Sequence, residues 1–245
     1  MDIVHEDLVP DPGLDREEML ACQDRIRERA SFQTPRSLIE RLSADDLIVA
    51  GVDQSFPDDD VVSAIVALAA GEVIDRAVVR QPVQFPYIPG LLSFREAGAA
   101  LTACTALDVE PDLLLVDGNG RLHFREAGLA THLGVVLEQP TVGVAKRLLC
   151  GTLVDPPEPP YPTGTRVEIR GGEDTPTARN KLLGVAMQTR QWDHPDRHIN
   201  PVYVSPGHRI SPDHAADVVE CCVVDRKLPE PIRAADQLAS EAARD

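Results

Sequence analysis

Between Leu113 and Gly128 the chain reads LLLVDGNGRLHFREAG. Four apolar residues ahead of Asp117 predict a buried strand, and glycines at 118 and 120 let the backbone turn sharply once the carboxylate has been delivered. FREAGLATHLGVVL then has helical length and spacing, and PTVGVAK reads as the next strand. A candidate metal ligand is thereby placed at a strand end, and Arg121, His123 and Arg125 follow it with groups suited to phosphate.

Working outward, DLIVAGVDQSF reads as a buried strand ending at Asp53, VVSAIVALAA as a second and EVIDRAVVRQPVQF as a third. The turn signals PDDD and AGE between them predict an antiparallel meander, and LLSFREAGAALTACTAL is the first helix after it. The order is β-β-β-α-β-α-β. It resembles the ribonuclease-H-like fold, an α/β mixed sheet of three antiparallel strands followed by parallel strands, flanked by helices. In that fold the strand after the first helix lies parallel beside strand one, so Asp53 and Asp117 would end neighbouring strands about 5 Å apart.

Before the meander, DREEMLACQDRIRERA carries acids in its first turn and arginines in its last, as a covering helix would. Past PTVGVAK come a proline-rich excursion (154–162), a hairpin-like pair at TRVEIRGG and KLLGVAMQTR, and NPVYVSPGHRIS, read as a short strand, a turn and a helix starting near Ser211 with Pro212 at its first position. Residues 1–13 are expected to fray and 228–245 to form a final helix or tail, within one domain spanning 1–245.

The net charge of −16 argues at first against a polyphosphate partner. The acid is unevenly spread, however: residues 1–60 hold 16 acids and 6 bases, whereas 87–151 hold 7 and 5. Only three of the 24 basic residues are lysine, a composition that resembles proteins of salt-adapted cells. Five scattered cysteines write neither a disulfide framework nor a zinc knuckle. No apolar run is long enough for a membrane span and the N-terminus is acidic, so a soluble, cytoplasmic protein is expected; no dimer motif is visible, and a monomer is expected.

Two buried carboxylates side by side repel unless a cation joins them, and Mg²⁺ would resolve the conflict. Alone, Asp53 or Asp117 reads more readily as a turn or cap residue; together, each ending a strongly apolar strand, they read as a metal pair. Glu96 offers a third carboxylate, although Ser93-Phe-Arg-Glu96 also fits a capping box in which Glu96 would only bind backbone. Lys146 ends PTVGVAK and would join the same row of strand ends. His208 is placed by Ser205-Pro-Gly-His208 in a loop before a helix N-terminus, an anion site in principle. Tyr87 sits in Pro86-Tyr-Ile88-Pro89, a stiff turn on which an exposed ring could stack on bases or wedge between them. The dinucleotide fingerprint, the P-loop and the G-x-S-x-G elbow are all missing.

AGVDQSF, PYIPGLLSFRE, LLLVDGNGRLHFREAGLATHLG, PTVGVAKRLLCG and NPVYVSPGHRIS together resemble the endonuclease V family, metal-dependent repair nucleases for deaminated adenine (inosine). The resemblance implies Mg²⁺, for which Mn²⁺ can substitute, held at Asp53, Glu96 and Asp117, with His208 near that centre and Lys146 as the active-site lysine. It implies Tyr87 as the strand-separating wedge with Pro86, Ile88 and Pro89 around it, and Asp112 and His123 as polar residues beside the catalytic strand. Gly118, Asn119 and Gly120 would wall the pocket for the turned-out base. The substrate implied is inosine-containing DNA or single-stranded RNA, cut one phosphodiester beyond the lesion on its 3′ side. Phe124, where proline is common, and Arg147, where a small residue is common, depart from the family pattern. Two rival expectations are a nuclease of the same fold acting on a junction or an RNA–DNA hybrid, and a protein that binds inosine without cutting.

Overall fold

A computed structural model describes residues 1–44, 46–191 and 199–244. Strands β1 (Ile48–Ser55), β2 (Asp60–Ala69) and β3 (Glu72–Pro82) form the antiparallel meander. Helix α3 (Leu92–Thr105) follows α1 (Arg16–Arg29) and α2 (Arg36–Ser43) in chain order, and leads to β4 (Leu113–Asp117), α4 (Leu129–Leu137) and β5 (Thr141–Ala145). The chain continues through β6 (Thr152–Leu153), β7 (Arg166–Arg170), β8 (Leu182–Met187), β9 (Val202–His208), α5 (Pro212–Cys221) and α6 (Glu230–Ala242). Among the described residues the strands form one mixed sheet in the order β3-β2-β1-β4-β5-β9-β8-β7-β6.

The central register positions the site. β4 runs parallel to β1 with Val116 beside Val52, and β5 runs parallel to β4 with Val144 beside Asp117. Asp53, Asp117 and Lys146 therefore emerge at the same edge of three adjacent strands. Alternation along the strands makes two cores. Ala50, Val52, Leu114 and Val116 pack against α1, α3 and α4, while Val49, Leu113, Leu115, Val142 and Val144 pack under α2, α5 and α6. Both faces of the central strands are thus buried, which explains their unbroken apolar runs.

The N-terminal residues, expected to fray, are docked. Leu8 is fully buried, its carbonyl accepts from the His132 ring at 2.8 Å, and the Val4 and His5 amides donate to the Val136 carbonyl. Acidic, Pro/Gly-bearing composition concealed one apolar anchor. The C-terminal stretch is helical as α6, with its apolar face on β1 and β2. No described helix is long and apolar enough to cross a membrane.

Candidate active site

Asp53 reaches the sheet edge at the end of a run of buried strand residues, and its Oδ1 accepts the Gln54 amide at 2.8 Å. Burial and the neighbouring Asp117 carboxylate together push its pKa up to about 8. Glu96 is also driven to about 8, first by burial, then by the charges of Asp53 and Asp117. Three carboxylates are thus close enough to feel one another, although they come from two strands and a helix.

The capping-box alternative for Glu96 does not survive. Helix α3 starts at Leu92 with Leu91 as its N-cap and no side-chain cap bond, so Ser93 and Glu96 both lie inside the helix. The Ser93 hydroxyl, which would have been the cap, is buried without a hydrogen-bond partner. Glu96, with no capping bond to make, lies near enough to Asp53 and Asp117 to feel both charges.

Lys146 Nζ donates to Asp117 Oδ2 at 2.6 Å. Burial pulls its pKa down, but the hydrogen bond to Asp117 and the charges of Asp117, Asp53 and Asp236 more than offset that, so the ammonium is held above its ordinary value. Asp236 is a residue that sequence reasoning missed. It stands on α6, whose first turn lies so close to β1 that a Cβ at Gly51 would fall 2.0 Å from the Pro231 carbonyl oxygen. The charge of Asp236 reaches both Asp53 and Lys146. Its only sequence signal was its place one turn after the buried Ile232 in an apolar-periodic segment.

His208 belongs elsewhere. The segment 205–208, expected as a loop, continues β9, and antiparallel pairing sets His208 beside Thr141, at the far end of β5 from Lys146. Its Nδ1 accepts the Ser31 amide at 3.2 Å and its Nε2 lies 3.6 Å from Glu138. The three groups behind Asp117, expected to suit phosphate, are engaged within the protein. Arg121 pairs with Glu126 at 2.9 Å and stacks over Phe32, Arg125 binds Asp24, and His123 is buried with its pKa depressed to about 4, mainly by burial. Asp112 is likewise structural, accepting from Arg41 and from the Ile48 amide where β1 begins.

The glycine turn is built by close approach rather than by special dihedrals: neither Gly118 nor Gly120 has positive φ. A Cβ on Gly120 would lie 2.5 Å from the Pro206 carbonyl oxygen, and one on Gly143 would lie 2.3 Å from the Gly120 nitrogen. The Gly120 amide donates to the buried Ser205 hydroxyl at 3.0 Å, so this glycine packs the turn against β9 instead of facing a ligand. Gly118 and Asn119 are partly exposed and border the carboxylates, and the buried Asn119 Oδ1 has no hydrogen-bond partner. Tyr87 is 66% exposed on its proline turn, with Pro86 and Pro89 exposed and Ile88 packed against the core below.

The donor set is oxygen-only, with Asp53 and Glu96 raised in pKa by burial and by neighbouring carboxylate charge, and suits a hard divalent cation. Among the described residues no three acid, imidazole or thiol groups close on one point, so a cation here would complete its shell with water or substrate oxygens.

Comparison with known proteins identifies the family. The family model described as Endonuclease V matches residues 34–237. The chain is 48% identical to Endonuclease V of Haloarcula marismortui, covering 98% of this chain and 96% of that protein, and 46% identical to that of Halobacterium salinarum, covering 98% and 99%. It is similar in structure to human ENDOV, with 30% identity, a TM-score of 0.79 and coverage of 94% and 98%. It is also similar to Ciona intestinalis Endonuclease V, solved with a 24mer DNA containing an inosine followed by a ribo-adenosine, with 25% identity, a TM-score of 0.71 and coverage of 93% and 97%. The chain therefore belongs to the endonuclease V family, nucleases that hydrolyse phosphodiester bonds.

Proposed function

We propose that the protein is a Mg²⁺-dependent endonuclease that nicks DNA at inosine, one phosphodiester beyond the lesion on its 3′ side, leaving 3′-hydroxyl and 5′-phosphate ends, and that it acts as a monomer in the cytoplasm. The observation that carries the reading is that Asp53, Glu96 and Asp117 lie near enough for their charges to act on one another, with Lys146 hydrogen-bonded to Asp117. The inosine-containing DNA bound by the Ciona intestinalis protein supports the choice of lesion.

Asp53 and Asp117 would hold the ion, with Glu96 completing the shell directly or through water; Mn²⁺ takes the same oxygen ligands and is expected to substitute. When bound, the ion supplies an activated water and neutralises charge on the phosphorane. Lys146 exchanges its bond to Asp117 for the attacking water or a scissile phosphate oxygen. The edge formed by Gly118 and Asn119 borders the turned-out hypoxanthine, and Tyr87 fills the gap left in the stack.

Matched DNA and RNA oligonucleotides, with and without one inosine, are incubated with Mg²⁺ over a range of salt concentrations, alongside Asp117→Ala. Cleavage only of inosine strands, lost in Asp117→Ala, is the expected result, and preference between the DNA and RNA strands identifies the substrate. Equal cutting of control strands overturns the specificity and favours a nuclease for another substrate. Inosine binding with no metal-dependent product favours a binding protein.

A further inference from the structure

The turn that presents Tyr87 is fastened at both ends by backbone carbonyls. At its start, the Phe85 ring is buried edge-on against Phe94 with centroids 6.2 Å apart, and the Phe85 carbonyl accepts from Arg95 Nη1 at 3.2 Å. At its end, the Gly90 carbonyl accepts from Gln23 Nε2 at 2.8 Å and also from the His123 ring. Gly90 has φ +80° with open space where a side chain would be, so its glycine serves the backbone conformation that aims this carbonyl inward.

Gln23 lies on α1, outside the 34–237 stretch that matches the family model. It is fully buried, and its Oε1 has no hydrogen-bond partner. An orphaned amide oxygen in a core is unfavourable, and an apolar side chain of similar length would fill the same space without it. What the amide provides and the apolar group cannot is the donor to Gly90. The same helix holds Arg125 through Asp24 and the Leu20 carbonyl, so α1 spans the Tyr87 turn and the loop behind Asp117.

We infer that Gln23 is a positioning residue for Tyr87: through the Gly90 carbonyl it fixes the wedge turn in the same frame as the cutting carboxylates. The functional half of this inference rests on the proposed reaction, in which Tyr87 enters the nucleic-acid stack.

The test uses the full-length protein labelled with 3-fluorotyrosine, since the chain has only three tyrosines, Tyr87, Tyr161 and Tyr203. In Gln23→Met the Tyr87 fluorine resonance, assigned by its absence in Tyr87→Phe, should shift and change width. The Tyr161 and Tyr203 resonances should stay in place and report an intact fold. KM for an inosine strand should rise roughly tenfold, the loss of one anchoring hydrogen bond, with kcat within about twofold. In a Tyr87→Ala background the same substitution should add nothing to KM, whereas a merely structural role would add its effect in both backgrounds.

An unmoved Tyr87 resonance in a folded Gln23→Met protein overturns the inference, as does an undiminished KM effect in the Tyr87→Ala background. Should methionine misfit, shown by displaced Tyr161 and Tyr203 resonances, Gln23→Ala is read by the same criteria. If inosine and control strands are cut equally while the Tyr87 resonance still responds to Gln23→Met, the proposed specificity fails and the anchoring role stands.

Discussion

Replacing Asp53 by Asn should stabilise the metal-free protein while abolishing its response to Mg²⁺. Burial and the Asp117 charge raise the Asp53 pKa from 3.8 to about 8. A carboxyl raised in the folded state contributes its stability in full below the unfolded pKa and loses it as pH rises through the folded pKa, so wild type in EDTA should weaken progressively from about pH 4 to beyond pH 8. At pH 8 the ceiling on that loss is about 5 kcal/mol, and because much of it is repulsion shared with Asp117, Asp53→Asn should recover roughly 2–3 kcal/mol. For a chain of this size that is a rise in Tm of about 5–10 °C. Mg²⁺ binding only the native state should raise the wild-type Tm in proportion to the logarithm of its concentration, and should not raise that of Asp53→Asn. Thermal unfolding followed by circular dichroism from pH 5 to 9, with EDTA and with excess Mg²⁺, measures both effects. A lower Tm for Asp53→Asn in EDTA at pH 8, or an equal Mg²⁺ shift in the two proteins, would refute the reasoning.

Gly143→Ala would drive a Cβ to within 2.3 Å of the Gly120 nitrogen and should cost about 3 kcal/mol or more, together with cleavage activity, whereas Gly118→Ala meets only Leu129 at 3.5 Å and should leave the urea midpoint nearly unchanged. Lys146→Met removes the cation hydrogen-bonded to Asp117 and should lower kcat by about a hundredfold or more with little change in fold, as single-turnover kinetics and circular dichroism would show. His132 is fully buried with its pKa depressed from 6.5 to about 4. Its neutral form contributes stability that is complete above pH 6.5 and lost as pH falls toward 4, up to about 3 kcal/mol, so His132→Leu should flatten the acid limb of a urea midpoint measured against pH.

The fold was legible where period and burial agree. The runs at β1, β2 and β4 are buried on both faces and bounded by turn residues, and the crossover through α4 returns as a parallel strand for the same reason. The row Asp53, Asp117, Lys146 followed from topology alone. What failed depended on contacts between distant segments. Arg121 and Arg125 look like free phosphate ligands in a linear reading, because Glu126 lies beyond a turn and Asp24 sits on a helix a hundred residues away. His208 was displaced by the persistence of β9 through Pro206 and Gly207, residues that ordinarily punctuate a strand. Asp236 was hidden because only the docking of α6 on β1 brings it to the sheet edge.

The contact of Gly143 with Gly120, and of Gly120 with Pro206, sets main chain directly on main chain beneath Asp117. Such a mount has no rotamers to relax and no side-chain volume to vary. A change of side chain elsewhere on the surface therefore acts on Asp117 only through backbone that is already in contact, and the composition of the exterior can suit its solvent while the strand end that carries this carboxylate keeps its dimensions.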